Sequence, residues 1–119
     1  MASERFTVTA APGPQPGVVV LALTGELDHD TADALRGELE GRNGAVRILV
    51  DCEGLRFCDS TGLNVLLRAR LHALEAGGRL ELAGLRPPVA RMFEITGART
   101  VFRVYENVAE ALTDRRADG

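Results

Sequence analysis

The chain has 119 residues, enough for one domain whose core needs neither disulfide nor metal. Hydrophobic residues make up 45 % and charged residues 26 %, values of a folded globular chain rather than a disordered one. Seventeen acidic residues against 14 basic ones give a net charge of -3, so there is no cationic surplus for a phosphate backbone and no direct nucleic-acid partner is expected. All the basic residues are arginine, which excludes chemistry that needs a lysine, such as a Schiff base or a P-loop.

Cys52 and Cys58 are the only cysteines, and two ligands at that spacing close no zinc site. They read as small buried hydrophobes. No metal and no cofactor is expected, since a Gly-rich phosphate loop is also missing. The first residues lead into no apolar stretch of a signal peptide. The longest apolar run, Val18 to Leu23, is too short to span a membrane. A cytoplasmic chain with reduced thiols is the expectation.

In chain order, Phe6 to Ala11 alternates apolar residues and threonine, as an edge strand does. Pro12 to Gly17 forces a turn. Val18 to Leu23 reads as a central strand buried on both faces. Asp30 or Thr31 can N-cap a helix whose Ala32, Leu35 and Leu39 share one face, and Gly41 and Gly44 stop it. Val46 to Val50, with Arg47 its one charged member, is a second buried strand ending at Asp51. A loop is expected from Cys52 to Asp59, with Phe57 buried. Leu63, Leu66, Leu67, Leu71 and Leu74 then form the apolar face of a helix, while Asn64, Arg68, His72 and Glu75 lie on a wet face.

Gly77-Gly78 ends that helix, and Arg79 to Ala83 is another strand. Pro87 and Pro88 open a short helix that Gly97 can cap. Val101 to Tyr105 is the last strand. Asn107 can cap a final helix to about Arg116, and 117–119 should fray. The order β, β, α, β, α, β, α, β, α predicts an α/β fold with a mixed, mostly parallel sheet of four to five strands and about four helices. One domain spans 1–119, with its core at about 6–112.

The stretch Cys58-Asp59-Ser60-Thr61-Gly62-Leu63 follows a buried strand and opens the most amphipathic helix. Asp59, Ser60 or Thr61 can serve as a simple N-cap. A hydroxyl there also stands where helix N–H groups tolerate an added phosphate.

These residues resemble the phosphorylation motif of STAS-domain anti-sigma factor antagonists, carried here by Asp59-Ser60-Thr61-Gly62-Leu63. Gly25-Glu26-Leu27-Asp28-His29-Asp30-Thr31-Ala32 resembles the family's first strand-to-helix junction. Gly84 to Gly97 resembles its third. The element order agrees from about Phe6 to Leu112. The resemblance implies the STAS fold and a partner switch. The unphosphorylated form binds an anti-sigma factor that is a Ser/Thr kinase and so releases the sigma factor. Phosphorylation of Ser60 ends that binding, and a PP2C-type phosphatase restores it. It further implies a partner surface of Asp28, Asp59, Ser60, Thr61, Gly62 and Asn64, where Asn64 stands at a common family glycine. Stress response, sporulation or development are the implied settings. The alternative is a STAS module of a stress-signalling scaffold or of a lipid-transport complex.

An enzyme is not expected. Ser60 sits in no Gly-x-Ser-x-Gly elbow. His72 would lie roughly 18 Å along the helix from it, too far to act as its base. His29 reads as a solvated loop residue.

Overall fold

A computed structural model of the chain describes residues 5–42 and 44–113. Its elements are β1 (Phe6–Pro12), β2 (Val18–Leu27), α1 (Ala32–Glu40), β3 (Arg47–Cys58), α2 (Ser60–Glu75), β4 (Arg79–Ala83), α3 (Pro87–Thr96), β5 (Val104–Tyr105) and α4 (Val108–Thr113). A short 3-10 helix over Ala98–Thr100 precedes β5. The strands form one sheet in chain order, β1-β2-β3-β4-β5. β1 and β2 are an antiparallel hairpin, and every other pair is parallel. Parallel neighbours need a crossover, and α1, α2 and α3 supply the three in turn.

The apolar faces of α1, α2 and α3 pack on one side of the sheet. Leu35, Leu66 and Phe93 there meet Leu21, Val50 and Leu82, all essentially inaccessible. The other side carries a smaller cluster, in which Ala111 of α4 covers Leu49, Ala83 and Tyr105. The buried residues of α1 are Ala32, Leu35 and Leu39, as their spacing predicts. Pro87 and Pro88 start α3, and Gly97 ends it in the left-handed region at φ 82°.

Several expectations are corrected. Cys52 to Cys58 is not a loop but the second half of β3, still paired with β2. The pairing slips once between Ala22 and Thr24 and again between Gly25 and Glu26. Such bulges break the two-residue alternation, so a strand stops looking like one. Phe57 lies beside the second slip and is exposed, not buried. Leu71 and Leu74 are also exposed; the buried part of α2 is confined to its first half, Gly62 to Leu66. Val18 to Leu23 is fully buried on one face only, through Leu21 and Leu23, while Val20 and Ala22 are half-buried. The last strand is shortened because Val101 and Phe102 donate backward to the Ala98 carbonyl. That turn seats Phe102 against Phe93, with ring centroids 5.9 Å apart. Asn107 does cap α4, accepting from the Glu110 N–H at 2.8 Å. The stretch expected to run to Arg116 and to fray at 117–119 lies outside the described residues.

Beneath α4, Arg47 at the start of β3 is buried. Arg47 donates through Nε to Glu81 of β4 at 2.7 Å and through Nη2 to the Ala111 carbonyl at 2.9 Å. Its guanidinium carbon stands 5.8 Å from the Tyr105 ring centre. Arg79 also reaches Glu81, at 3.2 Å. Removing one partner of such a pair strands a buried charge. Glu81→Ala should therefore lower the unfolding free energy by about 3–5 kcal/mol in urea titrations. The paired replacement Arg47→Met with Glu81→Leu should lose much less.

Candidate functional site

The parallel register of β2 and β3 brings Leu27 opposite Cys58. Both strands end there, so the loop before α1 and the first turn of α2 are neighbours. Asp59 joins them. Its backbone N–H donates to the Leu27 carbonyl at 3.0 Å. Its side chain caps α2, with Oδ1 accepting from the Gly62 N–H at 2.9 Å. Oδ2 accepts from the His29 N–H at 3.1 Å, across the junction. Of the three cap candidates, Asp59 is the one used, which leaves Ser60 and Thr61 as the first and second helical residues.

The same logic orders the loop before α1. Oδ1 of Asp28 accepts from the N–H groups of Asp30 and Thr31, at 2.9 and 3.2 Å. Its Oδ2 pairs with Arg5. Thr31 occupies the cap position of α1 but turns its hydroxyl back, donating to the Glu26 carbonyl at 2.9 Å. The same oxygen accepts from the Asp28 N–H. Asp28 is thus a frame residue of the loop as well as a boundary of the surface. Partial burial pushes its carboxyl pKa up, but the N–H of Asp30, the Arg5 guanidinium and Thr31 outweigh this. The carboxyl is held below 3.8.

Ser60 is exposed, and among the described residues its hydroxyl has no hydrogen-bond partner. Thr61 is half-buried, and Asn64, one turn on, is exposed. Gly62 is buried, and a Cβ there would stand 2.5 Å from Leu27 Cγ. Its missing side chain lets α2 begin directly against the end of β2. Gly62 therefore shapes the surface from beneath. The structure brings Asp28, Asp59 and Ser60 to one edge; His72 lies three turns along α2, away from it. His29 is exposed, with Nε2 3.3 Å from Asp30.

Sequence reasoning missed Arg5, whose guanidinium faces Glu26, Asp28 and Asp30 together. Nothing in the sequence near it signals this, because the contact runs from the start of β1 to the end of β2. Cys58, just before the motif, is buried, and burial with the Asp59 carboxylate alongside pushes its thiol up to about 12. Cys52 is pushed up further by complete burial. Neither forms a thiolate readily at neutral pH. Among the described residues, no three His, Cys, Asp or Glu side chains converge as metal ligands. No helix there is long and apolar enough to cross a membrane.

Comparison with known proteins agrees with this layout. The family described as "Mlab, STAS domain" matches residues 11–105. This chain belongs to the STAS domain family. Among STAS relatives, an anti-sigma F factor antagonist from Paenibacillus polymyxa is 33 % identical over 101 residues, covering 82 % of this chain and 86 % of that one. An anti-sigma factor antagonist from Mycobacterium paratuberculosis superposes with a TM-score of 0.81 at 23 % identity, over 95 % of this chain and 97 % of that one. The Bacillus cell fate determinant SpoIIAA, in its phosphorylated form, superposes with a TM-score of 0.70 at 25 % identity, over 89 % and 96 % of the two chains. The STAS fold thus accounts for all five strands and the four helices.

Two outcomes test the junction. Asp59→Ala should lower stability by about 1–2 kcal/mol in thermal unfolding, since a cap is lost. Asp59→Asn should lose less, because one side-chain oxygen can still accept from Gly62. In both, the His29 amide should exchange faster with deuterium. Separately, Arg5→Gln should move the Asp28 pKa up toward 3.8, read by NMR titration, because the cation that lowers it is gone.

Proposed function

We propose that this STAS domain is an anti-sigma factor antagonist, a binding protein rather than an enzyme, switched off by phosphorylation of Ser60. The observation that carries the reading is an exposed hydroxyl, unpartnered among the described residues, on the first residue of α2, at the edge shared with Asp28 and Asp59. The names of the Paenibacillus and Mycobacterium relatives support the antagonist role, and the phosphorylated state of SpoIIAA supports the switch. The partner is an anti-sigma factor with Ser/Thr kinase activity, a PP2C-type phosphatase reverses the mark, and both act in the cytoplasm. Asp28, Asp59, Ser60, Thr61 and Asn64 form the contacted surface, and Gly62 supports it.

The mechanism follows from charge. A phosphoryl group on Ser60 adds about 1.5 to 2 negative charges at neutral pH. At a helix N-terminus that charge is tolerated or mildly stabilising, so the fold persists. In a desolvated interface the same charge beside two carboxylates opposes docking by several kcal/mol. Partner loss without unfolding is the result.

Incubation with a kinase-type anti-sigma factor and ATP, followed by mass spectrometry, should place one phosphate on Ser60. The phosphorylated protein should melt within a few degrees of the unmodified one, and a collapse of stability would refute the interface account. In binding titrations Ser60→Ala should stay bound in the presence of ATP, and Ser60→Asp should bind at least about tenfold more weakly. Equal affinities would refute the switch. Capture of a transporter complex with no kinase would favour the scaffold or transport module instead.

A further inference from the structure

A second site lies away from Ser60. The C-terminal half of α1 and the middle of α2 line a half-open cavity of about 180 Å³. Ile48, Val65, Ala69 and Ala73 make its wall apolar. Its rim carries Arg36, Arg42, Arg68 and His72, against one carboxylate, Glu40. Three guanidiniums thus converge around an apolar hollow.

The rim side chains are only lightly engaged. Arg68 and His72 stand one turn apart on α2, and among the described residues neither side chain has a hydrogen bond or ion pair. Arg36 pairs with Asp33 on the exposed side of α1. Arg42 reaches Glu38 through Nη2 at 3.1 Å, while its buried Nε has no hydrogen-bond partner among the described residues. A buried donor without an acceptor is costly and rare in native proteins. Exposed ion pairs of this kind contribute little, so the guanidiniums can turn to another anion.

Size and charge define the occupant. An apolar cavity of about 150 Å³ holds a benzene molecule, so this one admits an apolar body of about six to eight heavy atoms. Glu40 at the rim opposes a doubly charged head group and favours a singly charged one. A carboxylate matches the guanidinium fork. We propose that the α1–α2 cavity binds a small amphipathic carboxylate, with its acyl or aryl body against Ile48, Val65 and Ala69. Its head group sits at the Arg42–Arg68 rim. This site is independent of the phosphorylation reading.

The test is titration of the isotope-labelled full chain with sodium octanoate and sodium benzoate, followed by amide NMR. Octanol and acetate serve as probes lacking the charge or the body. Octanoate, benzoate or both should give saturable one-to-one shifts around Arg42 and Val65–Ala73, with Kd on the order of 1 mM or tighter. Saturation by octanoate alone identifies a fatty acid, and by benzoate alone an aromatic acid. Arg68→Gln, at an exposed position, should weaken binding about tenfold. Ala69→Leu should abolish it by filling the hollow. Shifts from octanol as strong as those from octanoate, unchanged affinity in Arg68→Gln, or no saturable shift with either acid would overturn the proposal.

Discussion

The parallel pairing of β2 with β3 governs the rest of the molecule. It makes two strands end side by side, at Leu27 and Cys58. A helix must then start beyond each end, because a parallel neighbour can be reached only by a crossover. The N-terminus of α1 and the N-terminus of α2 are therefore brought to one edge by topology alone. Local chemistry does the remainder, with one aspartate in each junction collecting backbone N–H groups.

That geometry explains how one edge can be both rigid and available. Asp28 and Asp59 are occupied in holding the two junctions. Ser60, exposed at the same edge, has no side-chain partner among the described residues. A modification at Ser60 adds charge without removing a support. The glycine at 62 serves the same end, since any side chain there would press on Leu27 and displace the helix that carries the serine.

Much of the arrangement was legible beforehand. The apolar spacing of Ala32, Leu35 and Leu39 located α1, and the turn residues between segments separated the elements. The motif at Asp59–Gly62 stood out because an acidic cap and a hydroxyl preceded a strong apolar stripe. What stayed hidden depended on partners distant in sequence. Residues 52–58 lost their strand signature through two slips of register, visible only against β2. The burial of Arg47 required Glu81, 34 residues away, and the Ala111 carbonyl. Leu71 and Leu74 showed that periodicity marks an apolar face without showing how far its cover extends.

The two sides of the sheet are not attached with equal firmness. One is sealed by three helices over a wide apolar cluster, and the other, among the described residues, by six residues of α4 resting on a few apolar side chains and a charged pair. Lifting α4 would expose little apolar surface and would return Arg47 and Glu81 to water. Local opening of α4 should accordingly cost less than global unfolding. Ser60 begins a helix on the more fully covered side.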